Sequence, residues 1–219
     1  MRKIDKSGLL ATKYKKWLDD LAANGKTHPK YNSSNFKYYY DIVASLIWLQ
    51  AGLCAYSERK MQDYRKCAPD KWLDGAFKQF DFSGQLDHYD ATLKNNKGWD
   101  WDNFFLIDAD VNVKNKRDNR PNGILKPDVT TFDPNIYLEY KLPDHIFVPN
   151  RNLDFQTQEK VRHDLSCLGL NFEPIIDIRK EYLAPYLTDI EYQAQTADQA
   201  RVKLTQFYTA FEMAVIQVE

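Results

Sequence analysis

The sequence predicts an α+β chain, on three observations. Apolar residues recur at helical spacing near both ends, as in Leu10, Tyr14, Trp17, Leu18 and Leu21 and again from Leu204 through Phe207, Tyr208, Phe211, Ala214 and Val215. Between these stripes, apolar runs such as Phe104–Ile107 are too short for helices and are punctuated by Pro, Gly, Asn and Asp, the residues of strand ends and turns. The stretch Leu86–Arg117, LDHYDATLKNNKGWDWDNFFLIDADVNVKNKR, reads in order as strand, loop, strand and helix. The expected architecture is a small two-strands-and-helix core at about 83–118, a helical part over 1–82 and an elaboration over 119–219. With no internal repeat and no low-complexity linker, one domain spanning 1–219 is expected.

In chain order, the first stripe predicts a helix closed by Gly25. The loop GKTHPKYNSSN (25–35) has turn chemistry, and His28 in it reads as a solvated loop residue. A second helix follows, with Tyr39, Ile42, Val43, Leu46 and Ile47 on one face. After the centre, ILKPDVTTFDPNIYLEYKLPDHIFVPN (124–150) reads as short strands and turns. Val161, Leu165 and Leu168 restore helical periodicity, Gly169 is placed to cap it, and His163 on that helix reads as exposed or half-buried structure. Arg179–Leu187 predicts a short helix stopped or kinked at Pro185. Thr196 and Gln199 have capping-box spacing and open one last helix over 197–217.

Composition narrows the function classes. Apolar residues at 43%, with 14% aromatic, exclude a disordered chain. A net charge of −1 excludes a uniformly basic coat, so any nucleic-acid surface must be a local patch or be shared with a partner. No run approaches the roughly 20 apolar residues of a membrane span, and the N-terminal stretch has no continuous hydrophobic region. Cys54, Cys67 and Cys167 are scattered, which fits reduced thiols and a cytoplasmic location.

The chemistry concentrates at Asp87 and His88. A neutral imidazole can activate a water for attack on a phosphodiester, and a hard carboxylate oxygen can hold a divalent ion that stabilises phosphoryl charge. Adjacent strand residues point to opposite faces, so both serve one site only if the strand bends or bulges there. Asp108 is placed to cap a helix beginning at Ala109. Asn112 then lies one turn in, and Lys116 one turn further along the same face. Asn103 is placed to fix the loop Asp90–Trp99 by bonding its backbone. Lys114, Lys116, Arg117 and Arg120 form a basic run suited to phosphates. Each residue has a plainer role available, as turn, core or solvated surface; it is their joint order that points to a nuclease.

LDHY (86–89), WDNFFLID (101–108) and DVNVKNK (110–116) resemble the three parts of the HNH endonuclease motif. CAYSER (54–59) and LGLN (168–171) followed by Arg179 resemble segments flanking it in the group that includes the nuclease subunits of Septu-type and retron-associated antiphage systems. The resemblance covers about Leu53 to Leu183. It implies a ββα-metal fold, with His88 as general base and Asp87 and Asn112 as ligands of the catalytic ion. Asn103 becomes the orienting middle residue. It further implies Mg²⁺ or Mn²⁺ as cofactor, DNA before RNA as substrate, and an ATPase partner subunit. Lys116 stands four places after Asn112, where the family's lysine often stands three after.

Many relatives carry two Cys pairs around a structural zinc. The corresponding positions here are Cys54, Ser57, Asp108 and Val111, a set from which no structural zinc is expected. Packing by Tyr56, Trp101, Phe104 and Val111 is expected in its place. Two other readings stand beside DNA cleavage: an RNA-cleaving enzyme with the same site, and a catalytically silent binding or scaffold subunit.

Overall fold

The computed structural model describes residues 1–32, 36–116 and 118–218. Its helices follow the apolar stripes. Tyr14 is the buried anchor of α1 (Thr12–Ala23), which ends just before Gly25, and α2 (Tyr39–Leu49) buries the continuous run Asp41–Ile47. The chain then reaches β1 (Gln85–His88), a single helical turn α3 (Lys94–Lys97) and β2 (Phe104–Ile107). β1 and β2 pair antiparallel, with Gln85 opposite Ile107, Leu86 opposite Leu106, Asp87 opposite Phe105 and His88 opposite Phe104. Asp108 caps the next helical segment as expected, its Oδ1 accepting from the backbone N–H of Asp110 at 2.9 Å and of Val111 at 3.4 Å. That segment widens into a π-helix over Val111–Lys116.

A helical turn α4 (Pro134–Tyr137) leads to a second antiparallel hairpin, β3 (Leu138–Lys141) and β4 (Ile146–Pro149). Four helices complete the chain: α5 (Phe155–Leu168), α6 (Glu173–Glu191), α7 (Ala197–Lys203) and α8 (Tyr208–Val215). Gly169 closes α5 at φ 68°, a left-handed conformation that suits glycine. The chain is thus a mixed helix-and-strand protein, with two separate small sheets among the described residues. Among the described residues, no helix is long and apolar enough to cross a membrane.

The first hairpin is a partition. Side chains alternate across a strand, so Leu86, Phe104 and Leu106 enter a cluster with Ile42, Leu46 and Trp99 from the N-terminal part. Phe105 and Ile107 enter the other cluster, with Tyr56, Val111, Leu165, Leu183 and Phe211. Two-stranded sheets leave backbone groups unpaired on both edges, and side-chain amides meet part of that need. Gln50 donates to the Leu106 carbonyl at 2.7 Å and accepts from its N–H at 3.0 Å. Asn171 does the same for Phe147, at 2.7 and 2.9 Å.

Two helix bounds differ from those expected: one helix does not stop at Pro185, and the last is divided. α6 runs through Pro185, because that residue lies on the exposed side and the Glu181 carbonyl it leaves unbonded is also on exposed chain. The last helix is two: the chain breaks at Leu204–Phe207, with Phe207 at φ 56°. The break sets the first turn of α8 on buried Glu58, whose backbone carbonyl accepts from Phe207 and whose side chain accepts from the Thr209 N–H at 2.8 Å.

Gln50→Ala strips the buried Leu106 N–H of its partner, while the Leu106 carbonyl keeps the Ala55 N–H at 3.1 Å, so a loss of about 2 kcal/mol is expected in urea unfolding. A loss under about 0.5 kcal/mol would show that the amide does not hold that edge.

Candidate active site on the first hairpin

β1 neither bends nor bulges at Asp87–His88; the ladder register is unbroken and continues into the Tyr89 N–H, which donates to the Asn103 carbonyl at 2.8 Å. The two side chains therefore diverge into the two clusters. His88 is 2% exposed and Asp87 4%. The condition set by the sequence for a shared site, a bend or bulge, is absent.

His88 sits among rings, with Tyr31 edge-on at 4.5 Å and Phe104 at 4.9 Å. Its Nε2 lies 2.9 Å from the Gly98 carbonyl. A carbonyl only accepts, so Nε2 carries the hydrogen and Nδ1 keeps the lone pair. Burial pushes the imidazole down to about 4, against the smaller opposing pull of the Gly98 carbonyl. The loop that delivers this carbonyl is clasped from behind as expected: Asn103 Oδ1 accepts from the Asp90 N–H at 2.8 Å and its Nδ2 donates to the Asp90 carbonyl at 3.0 Å. Gly98 has no room for a side chain, since a Cβ there would meet the Lys94 carbonyl oxygen at 2.4 Å. His28 is not merely solvated, because its Nδ1 accepts from the Trp99 N–H at 3.2 Å and ties its loop to this one.

Asp87 lies on the other face. Its Oδ2 accepts from the Tyr56 hydroxyl at 2.6 Å and is 3.9 Å from the Lys116 ammonium. Lys116 is fully buried, and its Nζ also donates to the backbone carbonyls of Asn119 at 2.9 Å and His88 at 3.4 Å. The hydrogen bonds of the π-helix close i→i+5, and within it Val111 and Lys116 are buried while Asn112 is half-buried. Asn112 donates its Nδ2 to Gln85 Oε1 at 2.9 Å. The expected pairing of Asp87 with Asn112 is thus replaced by Asp87 with Lys116 and Asn112 with Gln85. As placed, these residues do not fit a divalent ion. The Asp87 carboxylate faces an ammonium, the Asn112 amide is engaged elsewhere, and no group of three or more His, Cys, Asp and Glu among the described residues is placed to hold a metal.

The basic run is dispersed. Lys116 is interior and Arg117 lies outside the described residues. Exposed Lys114 pairs with Asp110 at 2.9 Å and exposed Arg120 with Asp90 at 3.2 Å. His163 is exposed, with Nε2 2.9 Å from the Arg120 carbonyl. At the positions corresponding to a zinc staple, burial pushes the Cys54 thiol up, against smaller opposing effects of Ser57 and the Asp108 backbone, and Arg59 Nη1 pairs with Asp108 Oδ2 at 2.8 Å. Tyr56 and Val111 pack on this side, whereas Trp101 and Phe104 pack across the hairpin.

The residues missed from sequence are Tyr31, Gly98 and Gln85, and the Tyr56 hydroxyl in its role toward Asp87. Gly98 carried a signal, a lone glycine between polar residues and two tryptophans; Tyr31 carried none, because only the tertiary fold brings it to His88. Compared with known proteins, the chain matches no family model and no curated protein.

Opposed pH dependences follow. Unfolded, His88 takes its proton near 6.5 but folded only at about 4, so its contribution to stability is full above about 6.5 and is lost as pH falls. Asp87 runs the other way: burial, outweighing Lys116 and Tyr56, pushes its carboxyl from 3.8 up to about 6, so its contribution is full below 3.8 and is lost as pH rises. Against wild type, Asp87→Asn should lose stability as pH drops from 6.5 to 4, and His88→Phe as pH rises across the same window. Denaturation curves at stepped pH that stay parallel to wild type would contradict this.

Breaking the Asp87–Lys116 pair from one side should cost about 3 kcal/mol, because a buried charge is left alone. The double change Asp87→Asn with Lys116→Met should cost about 1 kcal/mol or less. Costs that simply add in a double-mutant cycle would show the two groups to be uncoupled.

Proposed function

We propose that the chain is a phosphodiester hydrolase, an HNH-type nuclease, with His88 as its general base. The observation that carries the reading is the Nε2–H bond of His88 to the Gly98 carbonyl, which leaves Nδ1 unprotonated at neutral pH. In hydrolysis the water oxygen bonds to phosphorus, the ester P–O bond breaks, Nδ1 takes the water's proton, and the departing oxygen is protonated from solvent. Asn103 acts one step back, by holding the loop that aims the imidazole. Tyr31 has to swing aside before a phosphate reaches His88.

The HNH resemblance supplies the rest of the reading: Mg²⁺ or Mn²⁺ to stabilise phosphoryl charge, DNA before RNA as substrate, and an effector role beside an ATPase subunit in antiphage defence. A second reading, a silent nucleic-acid-binding or scaffold subunit, is favoured by the burial of both His88 and Asp87 and by the ammonium beside Asp87.

Duplex DNA and total RNA, each incubated with purified protein with and without Mg²⁺ or Mn²⁺ and an ATPase partner, separate these readings. The enzyme reading expects cleavage that His88→Ala lowers by about 10²–10⁴-fold. No cleavage of either substrate, or cleavage indifferent to His88→Ala, leaves the scaffold.

A further inference from the structure

The proposed site calls for a cation at Asp87, and the fold has put one there. Three oxygens surround the Lys116 Nζ: the Asn119 carbonyl at 2.9 Å, the His88 carbonyl at 3.4 Å and Asp87 Oδ2 at 3.9 Å. These are hard oxygen donors, one of them charged, of the kind that bind Mg²⁺ or Ca²⁺. The ammonium hydrogen-bonds the two carbonyls and stands at ion-pair distance from the carboxylate, a spread far wider than the ~2.0–2.1 Å shell of Mg²⁺. Nothing about the placement is loose. Val111 and Lys116 are locked on the inner face of a π-helical turn, and Asn115 anchors that turn by donating to the Ser166 carbonyl at 2.7 Å at the end of α5. The Tyr56 hydroxyl holds Asp87 from its other side.

We infer that Lys116 is the resident cation of this site, and that the wild-type chain in this state takes no divalent ion at Asp87. The inference deepens the nuclease reading, on which its bearing on catalysis rests; the binding claim stands apart from activity. An ammonium and a divalent ion cannot share the pocket, since each needs the same carboxylate and the two repel. Loss of the ammonium uncovers an oxygen-lined cavity built from Asp87, His88 and Asn119. A substrate phosphate is the group most able to draw Lys116 outward, because it offers the lysine another anion. The lysine then couples substrate arrival to the opening of the ion site.

Binding of Mn²⁺ alone, followed by electron paramagnetic resonance, tests this without any substrate. Wild type and Asp87→Asn should give the same titration, with no Asp87-dependent site. Lys116→Ala should gain one saturable site, at least tenfold tighter than any in wild type, that the added change Asp87→Asn removes. Its melting temperature should rise with Mn²⁺ while that of wild type does not. An Asp87-dependent Mn²⁺ site in wild type overturns the inference. So does a folded Lys116→Ala without the new site, or one that stays unfolded in Mn²⁺, since the ion is expected to replace the ammonium. The control Asp87→Asn with Lys116→Met removes both charges and should fold without Mn²⁺. If Lys116→Ala gains its site while no variant cleaves nucleic acid, the nuclease reading fails and the cation assignment stands.

Discussion

Everything at the candidate site depends on the strict alternation of one four-residue strand. β1 pairs with β2 without a bulge, so neighbours Asp87 and His88 are sent into different clusters. A carboxylate and an imidazole that sequence order sets side by side become residents of separate interiors, each with its own partners. Burial acts on both in the direction of neutrality. It lowers the imidazole to about 4 and raises the carboxyl to about 6, and the Lys116 ammonium offsets only part of the second effect.

The supporting structure can be read as the means of keeping that strand regular. A two-stranded sheet has little intrinsic stability, and here its open groups are met by Gln50 on one side and its loop by Asn103 on the other. Buried Lys6 adds a further brace, donating to the carbonyls of Trp101 and Phe104 and pairing with Asp128 at 3.2 Å. Buried polar groups of this kind stabilise only when fully partnered. The site is therefore rigid on its scaffold side and covered on its open side by Tyr31.

Much of this was legible in the sequence because it is local. The stripes of α1, α2 and α5, the Gly169 cap, the Asp108 cap and the Thr196–Gln199 box each depend on residues within a turn or two. The order strand, loop, strand, helix was legible for the same reason, as was the Asn103 clasp. Failures came where a distant contact overrode local preference. The chain breaks before α8 because Glu58 holds that helix's start. The π-turn is the most consequential of these. In the widened turn Lys116 is buried with Val111 and lies near Asp87, while Asn112 bonds Gln85 instead. No feature of VNVKNK announces the wider turn; the anchoring of Asn115 on α5 does, and that contact spans 51 residues.

The central claim is that Asp87 and His88 face opposite interiors and that Lys116 supplies the cation at Asp87. Crystals of the wild-type protein soaked in Mn²⁺, with data collected at the manganese absorption edge, test it directly. The expected result has no anomalous peak near Asp87, with Lys116 Nζ on the Asn119 carbonyl and His88 Nε2 on the Gly98 carbonyl. A peak bridging Asp87 and Asn112, with the lysine displaced, would contradict it.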